Sequence, residues 1–111
     1  MKSTRVSYFR REDRRDRRYP LPALSISIDG TEYTTINWSL GGFLVTGFDR
    51  KVMPGQTIAG MLRPIDRPDG LAFTATVIRS GEDQLAVKFS DLGELGMTIL
   101  ERIITRRLFR S

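Results

Sequence analysis

Apolar and polar side chains alternate through most of the chain after residue 22, with the period of a β-strand. In ALSISIDG, Leu24, Ile26 and Ile28 alternate with serines, which predicts a strand with one buried face. Asp29-Gly30 is a hairpin turn signal. TEYTTINW then predicts a second strand, because β-branched and aromatic residues favour strands.

Four further segments have the composition of strands: GFLVTGF, QTIAGMLRPI, LAFTATVIR and QLAVKFSDL. Pro54-Gly55, the RPDG sequence at 67–70 and GED supply the turns between them. In the last two segments the apolar residues share one face: Leu71, Phe73, Ala75 and Val77, then Leu85, Val87 and Phe89. Six short strands at a spacing of roughly ten residues predict a mainly β fold, a small six-stranded antiparallel β-barrel or sandwich.

The last segment, ELGMTILERIITRRLF, changes to the period of an α-helix. Its apolar residues fall on one helical face: Ile99, Leu100, Ile103, Ile104 and Leu108. We favour a C-terminal helix packed over one end of the barrel, because small barrels need their openings covered. The alternative is that the helix binds a partner protein instead of packing on the barrel.

The composition restricts the classes of function. The chain has 111 residues, of which 40% are hydrophobic, enough for one domain with a single core. It has no cysteine and no histidine, which excludes Ser-His-Asp and Cys-His catalysis, disulfides and imidazole metal ligands. The acidic residues are scattered, so we predict neither an enzyme nor a metal site.

We expect no membrane insertion, since no apolar run reaches a membrane-spanning length. We expect a cytoplasmic location, since there is no cysteine and no secretory signal.

The charge is concentrated in the first 18 residues. This segment has eight basic and three acidic side chains, a net charge of +5, which equals the net charge of the whole chain. We therefore predict a basic N-terminal arm over residues 1–18, flexible because it has few core-forming residues, and one barrel domain over residues 19–111. Such an arm attracts phosphate, nucleic acid or an acidic surface.

Two residue patterns could bind an anionic ligand, and the first is NWSLGG. Asn37, Ser39 and Gly42 form the pattern N-x-S-x-x-G. Asn and Ser offer hydrogen-bond donors and acceptors, and glycine lets a planar group approach the backbone, so the cluster could bind the polar edge of a base. The other interpretation is an ordinary polar turn.

Two neighbours within the same pattern raise separate questions. The adjacent glycines, Gly41 and Gly42, indicate either a strained turn or a close approach to the backbone. Trp38 lies between the two polar residues, and on a strand it should face away from both. We expect it to pack in the core rather than to stack on a base.

The second pattern is R-x-x-x-R in the basic arm. It occurs in three registers: Arg10/Arg14, Arg11/Arg15 and Arg14/Arg18. A planar guanidinium can donate two hydrogen bonds to the O6 and N7 atoms of guanine, and it can also bind phosphate. The alternative is a solvated basic tail.

The order of these features resembles the PilZ domain family: R-x-x-x-R, a hairpin, [DN]-x-S-x-x-G, further short strands and a closing helix. That family comprises small six-stranded barrels that bind the bacterial second messenger cyclic di-GMP. The resemblance implies that Arg14 and Arg18 hold guanine edges and phosphates, that Asn37 and Ser39 bind a guanine, and that Gly42 leaves room for it. The implied ligand-binding residues are Arg14, Arg15, Arg18, Asn37, Ser39, Gly41 and Gly42, with Arg10, Arg11 and Arg17 as an alternative register or extra contacts.

The resemblance also implies how the protein acts. Ligand binding would rearrange the arm over the barrel and relay the signal to a partner protein of unknown identity, and a homodimer is compatible with this. Two rival hypotheses remain. One is a nucleic-acid-binding barrel that uses aromatic platforms, with Tyr8, Phe9, Tyr19 and Trp38 as candidates. The other is an adaptor that binds proteins without nucleotide.

Overall fold

The computed structural model describes residues 17–65 and 67–110, with only the backbone for residues 107–110. Six strands precede a helix: β1 (Leu24–Ile28), β2 (Thr31–Ser39), β3 (Gly42–Thr46), β4 (Thr57–Pro64), β5 (Leu71–Gly81), β6 (Gln84–Asp91) and α1 (Gly93–Arg110). The predicted flexibility of the arm concerns mainly residues 1–16, which lie outside the described residues.

The strands form a closed antiparallel barrel in the order β1-β2-β3-β6-β5-β4. The prediction of a six-stranded antiparallel barrel is therefore confirmed. Four of the six pairings join strands that are consecutive in sequence, whereas β3–β6 and β1–β4 join distant strands and close the barrel. At the first hairpin, Asp29 and Gly30 both have positive φ, at 50° and 84°, as the predicted Asp-Gly turn requires.

The barrel interior is filled by the apolar faces that the alternation predicted. It includes a group of three phenylalanines, the buried Phe43 and Phe73 and the half-buried Phe89, with ring centroids 5.4–5.8 Å apart and tilted or edge-on planes. Such geometry stabilises aromatic pairs beyond their buried area. Strands on all sides contribute the fully buried residues around it: Leu24, Ile26, Val45, Leu62, Leu85 and Val87.

Helix α1 lies on the barrel next to β5. Leu100 and Ile104 are buried and Ile99 and Ile103 are half-buried, which confirms the predicted apolar face as far as the described side chains extend. This supports the helix as a cover for one end of the barrel. Among residues 17–65 and 67–110, no helix is long and apolar enough to cross a membrane.

Candidate ligand-binding site

A β-bulge in β2 decides which side chains reach the outer surface at the site. Thr35 pairs with Val45 but Asn37 pairs with Leu44, so Ile36 is an extra residue on β2. Tyr33 and Thr35 point inward, and strict alternation would also point Asn37 inward. The bulge shifts the phase, so Trp38 enters the core and Asn37 is half-buried on the outer side.

Trp38 anchors the segment that enters the barrel from the basic arm. It is fully buried, and its backbone exchanges hydrogen bonds with Tyr19, at 2.8 and 3.0 Å between N and O atoms. The two rings pack with centroids 5.6 Å apart. The Trp38 Nε1 also donates to the Pro22 carbonyl at 2.7 Å. The prediction that Trp38 packs in the core is confirmed, and stacking on a base is excluded in this state.

The pairing of Tyr19 with Trp38 brings the two sequence patterns together. Because Tyr19 faces inward opposite Trp38, Arg18 lies on the outer face with Asn37 and Ser39. The Arg18 Nη1 donates to the Asn37 Oδ1 at 3.1 Å, across 19 residues of sequence. The ion pairs among the described residues, Arg50–Asp29 and Arg63–Glu32, do not include Arg18. Among residues 17–65 and 67–110, the guanidinium therefore has a neutral partner, and none of the ion-paired carboxylates there compensates its charge.

Ser39 organises the turn between β2 and β3. Its side chain is buried, at 3% exposure, and its Oγ accepts a hydrogen bond from the Gly41 N at 3.0 Å. The Gly41 carbonyl in turn accepts from the Phe89 N at 2.8 Å, which ties the turn to β6. These contacts give Ser39 and Gly41 a role in shaping the site. Their predicted contacts with a ligand stay predictions.

Gly42 is required by a close approach within the barrel. A Cβ added there would overlap the Val87 carbonyl oxygen and lie 3.1 Å from the Lys88 Cα. Neither Gly41 nor Gly42 has a positive φ, so the two glycines do not mark a strained turn. Of the two interpretations, the close approach is correct, and the partner is the β6 backbone. The predicted role of Gly42 in making room for a ligand stays a prediction.

The remaining predicted arginines divide into two groups. Arg17 is exposed beside Arg18, whereas Arg10, Arg11, Arg14 and Arg15 lie outside the described residues.

One residue that sequence reasoning missed is Lys88, which is exposed on β6 directly opposite Gly42. No motif identifies it, because its proximity arises only from the pairing of β3 with β6. Within residues 17–65 and 67–110, no cluster of carboxylates could hold a metal ion.

Comparisons with known proteins agree with this geometry. A family model described as the PilZ domain matches residues 9–106. The inhibitor of motility from Bacillus subtilis is a similar solved structure, with a TM-score of 0.63 and 15% sequence identity over 80% of this chain and 47% of that one. The PilZ domain of CeSA from a cellulose-synthesising bacterium has a TM-score of 0.57 and 18% identity over 81% of this chain and 96% of that one. A tetrameric PilZ protein from Xanthomonas campestris that assembles through a helical bundle has a TM-score of 0.55 and 28% identity over 73% of this chain and 48% of that one. The chain thus spans about half the length of two of them. No curated protein matches the chain.

Proposed function

Because the chain belongs to the PilZ domain family, we propose that it is a receptor for cyclic di-GMP that relays ligand binding to a partner protein. PilZ domains are binding and adaptor domains rather than enzymes, and the family binds this dinucleotide and acts through partner proteins. The proposal concerns this chain's own ligand, its binding residues and its output.

The observation that carries the proposal is the hydrogen bond between Arg18 and Asn37. One residue comes from R-x-x-x-R and the other from N-x-S-x-x-G, and the bridge between Tyr19 and Trp38 fixes them on one outer face. A guanine ring and a phosphate need donors, acceptors and positive charge at one place, and this face offers all three. The contact is exposed, so a ligand can replace it at little cost.

The proposed roles follow from the chemistry of each group. Arg18 donates to guanine O6 and N7 or to a phosphate, and Arg14, four residues earlier in the sequence, has the same role. Asn37 presents both an acceptor and a donor to a guanine edge. Arg15 and Arg17 add positive charge, and Ser39, Gly41 and Gly42 hold the turn in place.

The proposed output uses the division into a basic arm over residues 1–18 and a barrel over residues 19–111. Tyr19 is the first residue with a backbone pairing to the barrel among the described residues. Binding of a ligand with two phosphates would draw the arm onto the barrel beside β2, which changes the surface that a partner protein meets.

Titration calorimetry with cyclic di-GMP tests the proposal directly. We expect binding by the wild type and a loss of at least about tenfold for Arg14→Ala/Arg18→Ala, since each arginine contributes a charge-assisted hydrogen bond. The matched control is Arg102→Ala/Arg106→Ala, which removes the same charge at the same spacing from exposed positions on α1. Equal affinity in the two double variants, or no binding by the wild type, contradicts the proposal.

The rival nucleic-acid hypothesis loses part of its support in the structure. Tyr19 and Trp38, two of the four aromatic candidates, are buried at 6% and 0% exposure and face each other. A stacking platform needs an exposed ring face. Tyr8 and Phe9 lie outside the described residues. A gel-shift assay with single-stranded oligonucleotides separates the two functions, because a nucleic-acid-binding barrel would bind them with a steep salt dependence.

A further inference from the structure

The backbone pairing places a second cation on the outer face of the site. Ser39 pairs with Gly42, and Gly42 pairs with Lys88 on β6. The register of the Tyr19–Trp38 bridge places Arg18 opposite Ser39 at the start of the same row. With strands about 4.8 Å apart, the path from Arg18 to Lys88 along the curved surface of the barrel covers three spacings, roughly 14 Å, and the straight distance between the two Cα atoms is shorter.

Both cations point to the same side of the sheet. Trp38, Phe43 and Val87 precede or follow the residues of this row on their strands, and all three are fully buried in the barrel interior. Because side chains alternate along a strand, the residues next to them project outward. Lys88 is exposed, whereas Ser39 and Gly42, which lie between it and Arg18 in the row, are buried, and Gly42 has no side chain. No bulky group of the row therefore stands between the two cations.

Lys88 has no compensating acid in its immediate row. Its cross-strand neighbours are Gly42 and Thr76, which are uncharged. The ion pairs among the described residues involve Arg50 and Arg63, at other positions of the barrel. A lysine with neutral neighbours keeps its full attraction for an anion, because no fixed carboxylate competes for it.

We infer that Lys88 forms the far side of the ligand site and binds one phosphate of the dinucleotide, opposite Arg18. This inference rests on the proposed function. A cyclic dinucleotide has two phosphates on opposite sides of one ring, so a ligand that lies on the outer face between Arg18 and Lys88 meets a cation on each side. If only the arginines of the arm bound the ligand, the second phosphate, which in this orientation lies above β6, would have no cation next to it.

The experiment compares two lysine variants of the full chain. Lys88→Gln should weaken the binding of cyclic di-GMP by about tenfold, the effect of one charge-assisted hydrogen bond. Lys51→Gln removes the same charge from an exposed loop position next to Arg50, whose contact with Asp29 places that loop at the first hairpin. This control should bind like the wild type. Lys88→Arg should keep most of the affinity, because it keeps a cation at the same place.

Salt dependence provides the second measurement. Lys88→Gln should reduce the loss of affinity between low and high salt, since one ionic contact is absent, and Lys51→Gln should not. Equal affinities and equal salt dependence for the two glutamine variants would overturn the inference while leaving the proposed function intact. Absence of binding by the wild type would instead overturn the proposed function, and this inference with it.

Discussion

The two ends of β2 hold their cations in different ways. At the end that we call the anchored end, Thr31–Tyr33, the Arg63 Nη2 donates to the Glu32 Oε1 at 3.3 Å, and Arg50 pairs with Asp29 in the adjacent turn. At the end that we call the site end, Asn37–Ser39, Arg18 contacts only the neutral amide of Asn37 among the described groups. Within the part of the chain that the structure describes, the cations at one end of the strand are therefore paired with carboxylates, and the cation at the other end is paired with a neutral amide.

The two ends also differ in the interactions that hold them in place. Exposed ion pairs contribute only about 0–1 kcal/mol each, so the pairs at the anchored end mainly fix the loop and turn positions. At the site end the strand is held by the buried Trp38 and by backbone pairing instead. In the proposed function, Arg18 at this end binds the anionic ligand.

Truncation of the aromatic anchor at each end should give the largest effects. Trp38→Ala and Tyr33→Ala both remove a buried ring and should each lower the free energy of unfolding by about 3–5 kcal/mol, measured by urea denaturation. Only Trp38→Ala should also weaken cyclic di-GMP binding, because Trp38 holds the segment that carries Arg18.

Binding is compared at a temperature at which circular dichroism shows both variants to be folded. If Trp38→Ala does not fold, Trp38→Phe keeps one aromatic ring in the core but removes the hydrogen bond to the Pro22 carbonyl and leaves a small cavity, at a total cost of about 1–3 kcal/mol. Equal loss of ligand affinity at both ends of β2 would remove the distinction between the anchored end and the site end.

The two adjacent glycines of the site end should respond differently to alanine. Gly42→Ala forces a Cβ into the Val87 carbonyl and should cost about 1–3 kcal/mol of stability through overpacking. Gly41→Ala meets only the Ser39 Oγ, at an ordinary 3.6 Å, and should change stability by less than about 0.5 kcal/mol. Thermal denaturation of the two variants measures this, and similar melting temperatures would refute the close approach to β6.

Asn37→Asp gives the site end an ion pair like those of the anchored end. The new pair with Arg18 is exposed and contributes about 0–1 kcal/mol, whereas a bidentate contact to a base contributes about 1–3 kcal/mol. We therefore expect affinity for cyclic di-GMP to rise a few-fold and discrimination against cyclic di-AMP to increase, since a carboxylate offers acceptors only. Calorimetry with both dinucleotides tests this, and weaker cyclic di-GMP binding would mean that pairing of Arg18 dominates.

Arg50→Gln at the anchored end should have the smallest effect. The Arg50 side chain is 44% exposed, and its guanidinium lies beside Asp29 with the Cζ atom 5.8 Å from the centroid of the Phe48 ring. Loss of this exposed pair should cost about 0–1 kcal/mol, less at high salt, with ligand affinity unchanged. Urea denaturation at two salt concentrations measures the effect, and a change in cyclic di-GMP affinity would show that the two ends are coupled.

The sequence by itself determined the elements of this protein. Alternation of Leu24, Ile26 and Ile28, the Asp29-Gly30 turn and the helical period after residue 93 depend on neighbouring residues, so local rules predict them. The sequence also contains both patterns that we propose to bind the ligand, because each is a short run of residues. It did not show which interpretation of the two glycines was correct.

Only the tertiary structure decided how these parts meet. The pairing of β3 with β6 explains Gly42 and brings Lys88 beside it, and the bulge at Ile36 turns Trp38 inward and Asn37 outward. Neither feature has a local signal, because each arises from backbone packing between segments that are remote in sequence or from one extra residue within a regular pattern. Local patterning thus fixes the strands, whereas closure of the barrel fixes the neighbours of each side chain at the site.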